Sequence, residues 1–375
     1  MSLSQAVVVA AALLATGATA AAEDYWVYIG TYTSKDGSKG IYRSKLDGTT
    51  GKLSEPEVAA EMESPSFLAV HPTKKVLYAV GEGGGKDGGP VVAFSLDPKT
   101  GGLTKQNELL SGGSGPCHVA VDKAGKHAVV ANYGGGSCAA FSLKDDGSLN
   151  ARTAFVQHKG SSADKSRQEA PHAHCGTFDA TGKYALVVDL GLDQVLVYGL
   201  DGQTGTLHIA HAVKMPDGTG PRHIALTPSN DLAYVCGELN STVNVVKLDL
   251  AKSTSEVIQS LSTLPHPVKG NSTAECILHP SGKFVYVSNR GHNSIAVFKV
   301  GDDHKLTAAG HITGDIKIPR NFNVDPSGKW MLIASQDGDK VGVYEIDLST
   351  GLAKETASSI KVSRPVCVKF VPIAK

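Results

Sequence analysis

The sequence predicts an all-β protein, a seven-bladed β-propeller of four-stranded antiparallel blades, and three observations predict it. One phrase recurs: an apolar run ending in Pro, a Lys or Asp three residues on, an apolar-alternating strand and a turn. Its six clear copies carry that residue at Lys75, Lys126, Lys183, Asp231, Lys283 and Lys329, spaced by 51, 57, 48, 52 and 46 residues. A period of about 50 residues with several strands per copy suits a blade that cannot bury its faces alone and must stack on neighbours. The seventh copy is split between the two ends of the chain.

The N-terminal segment reads differently from the rest. Ala6 to Ala15 is apolar, and Ala18 and Ala20 to Ala22 supply small residues before Glu23. Residues 1–22 therefore read as a secretory signal peptide, although Met1 to Gln5 contains no Lys or Arg. The expected location is periplasmic or secreted, and cytoplasmic if the segment is retained. The apolar run is short for a membrane span and no other segment approaches it, so no membrane attachment is expected after cleavage.

Residues 23–375 then form one propeller domain. Tyr25-Trp26-Val27-Tyr28-Ile29-Gly30 and Gly40-Ile41-Tyr42-Arg43 begin the split blade. The inner-strand phrase is clearest at Pro65 to Pro72, Pro221 to Pro228 and Pro319 to Pro326, and weaker near Pro116, Ala173 and Ala274. A last copy, Pro365 to Pro372, ends the chain without its continuation. Its strand is expected to pair with the N-terminal one and so remove free sheet edges.

Composition excludes some functions. With 36 basic and 36 acidic residues and no basic cluster, nothing suggests a nucleic-acid surface. The 42 glycines suit a fold with many tight turns. Cys117, Cys138, Cys175, Cys236, Cys276 and Cys367 lie in or beside apolar strand segments without paired spacing. They read as small buried residues rather than disulfides or metal ligands. No exposed apolar helix or coiled coil points to an obligate partner, so a monomer is expected.

The repeat brings chemistry together. Nine residues before each Lys or Asp stand Ser66, Cys117, His174, Arg222, Ala274 and Arg320, with Val366 in the split blade. The next position holds Phe67, His118, Cys175, His223, Glu275, Asn321 and Cys367, expected on the opposite strand face. Seven residues after the same positions, at the end of the second strand, stand Glu82, Tyr133, Leu190, Glu238, Arg290 and Gln336. Antiparallel pairing puts that end beside the start of the first strand, so these sets should meet at one mouth of the central channel.

One sector thus gathers His174, Arg222, His223, Glu238, Glu275, Arg290 and Arg320. Arginine forks bind carboxylate or phosphate, and His and Glu offer acid–base capacity near neutral pH. His118, His127, His158 and His208 lack such company and read as ordinary surface or turn residues. Pro171-His172-Ala173-His174 places two histidines on one strand face with no obvious carboxylate, so no metal is expected there. The Gly-rich runs at Gly83 and Gly134 precede strands, so they are not phosphate loops, and no Gly-x-Ser-x-Gly elbow occurs.

At these residues the chain resembles the lactonase family of seven-bladed propellers, which includes 6-phosphogluconolactonases and carboxymuconate lactonizing enzymes. The likeness covers the mature chain and rests on Tyr28-Ile29-Gly30-Thr31-Tyr32-Thr33, Pro171 to His174, Gly220-Pro221-Arg222-His223, Gly237-Glu238-Leu239-Asn240-Ser241-Thr242, Ser288-Asn289-Arg290-Gly291 and Pro319-Arg320-Asn321. It implies an active site of His174, Arg222, Glu238 and Arg290. His172, His223, Glu275, Arg320 and Asn321 are added as substrate-binding candidates.

The expected activity is hydrolysis of an anionic sugar lactone, 6-phosphogluconolactone in type, without cofactor or metal. Either Glu238 or His174 would serve as base. Two alternatives remain at this level: a muconate-type cycloisomerase, and a non-catalytic binding propeller.

Overall fold

The computed structural model describes residues 23–373 apart from residue 86. The expected signal peptide lies outside these described residues. Twenty-eight strands, numbered β1 to β28 in chain order, form seven four-stranded antiparallel sheets. The only helical element among the described residues is a 3-10 turn at Gln336–Gly338. No helix among them is long and apolar enough to cross a membrane.

The ring closes as the split repeat requires. β28 (Pro365–Pro372) pairs antiparallel with β1 (Tyr25–Thr31), which continues to β2 (Gly40–Leu46) and β3 (Glu57–Glu61). The register runs from Tyr25 opposite Pro372 to Gly30 opposite Cys367. The innermost strands of the other six blades are β4 (Pro65–Val70), β8 (Pro116–Val121), β12 (Ala173–Phe178), β16 (Pro221–Leu226), β20 (Ser272–Leu278) and β24 (Pro319–Val324).

Burial follows position in the blade. The second strands β5 (Val76–Gly81), β9 (His127–Asn132) and β17 (Leu232–Gly237) are buried along their whole length, between neighbouring blades. The outermost strand over Leu103–Leu110 alternates exposed and half-buried residues, as an edge facing water should. Aromatic side chains also tie several blades to their neighbours. Tyr28 and Tyr286 donate their hydroxyls to the carbonyls of Gly101 and Gly351, at 2.8 and 2.9 Å, and Tyr78 does the same to Gly147. All six cysteines are buried and unbridged.

Candidate active site

Every innermost strand breaks its register at one place. Ser66, Cys117, His174 and Arg320 have no partner on the second strand, because pairing jumps across them. In β16 the jump spans Arg222 and His223, and in β20 it spans Ala274 and Glu275. In the terminal blade it falls at Val366. Such bulges bend the strand and re-aim side chains. Strict alternation is therefore corrected: Ser66 and Phe67, Arg222 and His223, and Arg320 and Asn321 all line the same narrow pocket.

Glu238, one residue beyond β17, is buried and held by three arginines. Arg167 Nη2 donates to its Oε1 at 2.8 Å, while Arg222 Nε and Arg290 Nη2 lie 2.8 and 3.0 Å from its Oε2. The Arg222 Nε–H is not aimed along its contact and has no hydrogen-bond partner, so that pair is Coulombic rather than directed. Backbone carbonyls fix both guanidiniums: Arg222 Nη1 donates to Ala274 at 2.6 Å and Arg290 Nη2 to Thr273 at 2.8 Å. Burial alone would raise the Glu238 carboxyl, but Arg290, Arg222 and Arg167 hold it down at about 2. Burial lowers Arg290 to about 10 despite Glu238.

His174 is buried beside this cluster with its ring free of strong hydrogen bonds; Cys117 Sγ lies 3.9 Å from Nδ1. Burial, then Arg222, His223 and Arg320, push it well below the ordinary histidine range. His172, by contrast, does not line the narrow pocket. Its ring stacks on Tyr133 with centroids 4.7 Å apart, and it meets the Tyr133 carbonyl at 3.1 Å and Glu169 at 3.3 Å. The bulge at His174 thus corrects the reading of two histidines on one face, and a carboxylate does stand nearby.

Arg320 lies on the far side of the same pocket, over the Tyr32 ring at 5.2 Å. Tyr32 donates its hydroxyl to Glu82 at 2.9 Å. Among the described residues Arg320 has no ion pair or side-chain hydrogen bond of its own. The space enclosed here is only about 10 Å³, room for about one water.

His223, Glu275 and Asn321 form a floor beneath the pocket. His223 Nδ1 meets Glu275 Oε1 at 2.7 Å, and Asn321 Nδ2 donates to the other carboxylate oxygen. Glu275 faces a separate cavity of about 470 Å³ at the opposite end of the channel, not the arginine mouth. That cavity is walled by Val70, Val121, Ile224, Ile277 and Phe370, with Lys369 as its cation.

Three of the four histidines expected to be surface or turn residues are buried. His118 enters the channel against Phe67, ring centroids 3.9 Å apart. His158 Nδ1 pairs with Asp189 at 2.6 Å, and its Nε2 meets the Tyr198 hydroxyl at 3.1 Å. His127, at the start of β9, packs by Asp122 across the preceding turn. In each case a partner distant in sequence or a tight turn satisfies the ring, which local composition does not reveal. His208 is exposed, as expected.

Sequence reasoning missed Arg167 and gave no role to Tyr133, Tyr32 or Glu82. The signal for Arg167 was the repeat length: the 57-residue spacing from Lys126 to Lys183 is the longest, and its surplus is the loop that carries Arg167.

Comparisons with known proteins identify the family. The family model described as "Lactonase, 7-bladed beta-propeller" matches residues 26–370. A Bacillus subtilis protein named 6-phosphogluconolactonase is 35% identical over 349 residues, covering 92% of this chain and 98% of that protein. A Formosa agariphila protein of the same name is 29% identical, covering 90% of this chain and 97% of that one. The structure of a Pseudomonas aeruginosa periplasmic gluconolactonase superposes with a TM-score of 0.87 at 27% identity, covering 94% of this chain and 100% of that one. The chain belongs to the seven-bladed β-propeller lactonase family.

Proposed function

We propose that this member of the lactonase family hydrolyses an anionic sugar lactone, with 6-phosphoglucono-1,5-lactone the best fit, at the arginine mouth. The observation that carries the reading is a charge count. Arg167, Arg222, Arg290 and Arg320 set four positive charges against the two carboxylates of Glu82 and Glu238, an excess of two, and the exposed Arg364 over the same Tyr32 ring adds a further cation at the edge. A phosphate carries about that charge near neutral pH, and arginine is the side chain best suited to grip it. The pocket is too small to swallow a lactone, so the sugar lies at the rim with its reacting carbonyl over Arg222 and Arg290.

The chemistry follows from what is free. His174 takes a proton from water as the water oxygen bonds to the lactone carbonyl carbon. The charge that develops on the carbonyl oxygen is met by Arg222 and Arg290, whose outer nitrogens Nη2 and Nη1 have no protein partner among the described residues. The bond from the carbonyl carbon to the ring oxygen then breaks, and His174 returns the proton to that oxygen. Glu238 is not the base: three arginines keep it ionised and weakly basic, and its role is to hold them in place.

The substrate also tunes its own base. Burial first, and then Arg222, His223 and Arg320, depress His174; a bound dianion offsets the arginine part and so makes the imidazole more basic. An uncharged lactone lacks that effect. Residues 1–22 are proposed to direct export, so that a periplasmic or extracellular lactone is the substrate met in the cell.

The test is acid release followed by pH-stat from 6-phosphogluconolactone, from uncharged gluconolactone and from a carboxymuconate. The expected result is fastest opening of the phosphorylated lactone, lost in Arg222→Ala. Full turnover by a folded Arg222→Ala, or no opening of any lactone by the wild type, would overturn the proposal.

A further inference from the structure

The floor of the channel carries a set of groups that the lactonase reading leaves unused. His118, Cys175 and His223 come from successive innermost strands β8, β12 and β16, and all three are buried. One ring nitrogen of each histidine and the Cys175 sulfur lie within 4.8 Å of one another. From these residues we propose a binding site for a zinc-class divalent cation, with His118 Nε2, Cys175 Sγ and His223 Nε2 as ligands.

The donor set suits that class. Imidazole and thiolate together favour zinc, cobalt and copper over the hard cations, which take oxygen. Around a tetrahedral zinc, ligand atoms stand about 3.3–3.6 Å apart. The Cys175 Sγ to His118 Nε2 distance is already 3.4 Å. The remaining pairs, within 4.8 Å, need to close by at most about 1.5 Å, a side-chain adjustment.

His223 is preset for the task. Its Nδ1–H donates to Glu275, which leaves the Nε2 lone pair free, and Glu275 is anchored in turn by Asn321 and by the Cys276 N–H at 3.0 Å. A carboxylate behind a ligating histidine is the usual second partner at metal sites. His118 needs one change. Its Nδ1 accepts from the Gly176 N–H at 3.4 Å, and metal at Nε2 requires the Nδ1–H tautomer, which releases this long contact.

The fourth position opens on the cavity of about 470 Å³, which gives the ion a route and room for a water ligand. Binding expels the Cys175 thiol proton, so affinity rises with pH. Lys369 and Arg222 oppose the cation, while Glu275 and the thiolate offset them.

The experiment is titration of the purified full chain with Co²⁺, read by absorption. One equivalent should produce a near-ultraviolet thiolate-to-cobalt charge-transfer band together with visible bands of tetrahedral cobalt, and Zn²⁺ should abolish both. Cys175→Ala should lose the charge-transfer band, while Cys138→Ala keeps it. A wild-type chain that shows no such band, or a band that persists in folded Cys175→Ala, overturns the site. Should Cys175→Ala not fold, His118→Gln serves in its place, with the tetrahedral visible bands lost as the expected result and their full retention overturning it. The wild-type band itself still decides thiolate ligation. These readouts do not depend on turnover, so they stand apart from the lactonase assay.

Discussion

The two ends of the central channel are built from the same seven strands and could hardly differ more. At one end Arg222, Arg320 and Glu82 line about 10 Å³ of space, with Glu238, Arg290 and Arg167 clustered against Arg222, and the other end encloses about 470 Å³ between mostly apolar walls. Size alone would send a substrate to the larger cavity. Cost points the other way. Buried ion pairs rarely stabilise a fold better than apolar side chains of similar volume. A cluster of arginines drawn from two bulges, a strand end and a loop is therefore hard to explain by stability and easy to explain by chemistry. Each end also holds a cation over an aromatic ring: Arg320 over Tyr32 at 5.2 Å, and Lys369 over Phe67 at 4.6 Å. The contrast is sharp enough to be broken by substitution.

The largest expected effect follows removal of the shared carboxylate. Glu238→Ala leaves Arg222 and Arg290 buried and facing each other. It should cost about 3–5 kcal/mol of stability along with most activity. Chemical denaturation beside kcat/KM measures both, and a variant as stable as wild type would mean the arginines relax into solvent. His174→Gln should instead spare the fold and lower kcat by about 10²–10⁴. In the wild type, the depressed His174 stays neutral to well below pH 6.5, so the acid limb of kcat/KM should fall below that value. A limb at or above 6.5 would exclude it as the base.

Acid should weaken the same end of the channel. Glu238 is held at about 2 against an ordinary 4.5. Its stabilisation is fully present above pH 4.5 and is lost as pH falls through 2, a change on the order of 3 kcal/mol. The buried histidines His118, His174 and His223 act in the same direction and earlier. They are neutral when folded and charged when unfolded, so stability begins to decline below about pH 6.5. Urea midpoints from pH 7 to 2 report this, and Glu238→Gln should flatten the lower part of the curve.

Much of this contrast was legible in the sequence. Blade count, ring closure at Tyr25 to Gly30 and Pro365 to Pro372, and the meeting of His174, Arg222, Glu238 and Arg290 followed from the repeat, because equal register in a propeller means adjacency. Two kinds of information were not legible. A bulge leaves little trace in composition, so Glu275 was expected at the arginine mouth and His118 as an ordinary surface or turn residue. Partners from an insertion obey no repeat, so Arg167 was missed although it completes the cage around Glu238. The meeting of His118 with Cys175 also escaped notice, because spacing rules for metal ligands describe neighbours along a chain, not neighbours around a ring.

The two cations give the finest test. Neither makes an ion pair among the described residues, and each sits over an aromatic face, so charge removal leaves similar packing behind. Arg320→Met should lower kcat/KM for the phosphorylated lactone about tenfold or more while changing little for the uncharged one, since it removes one partner for the anion. Lys369→Met should change neither by more than about twofold. Its charge lies beyond the His223–Glu275–Asn321 floor, beside a carboxylate of opposite sign that cancels much of its field at the arginine mouth. If Lys369→Met proves as damaging as Arg320→Met, the anion binds from the wide end, and the assignment of the two ends must be exchanged.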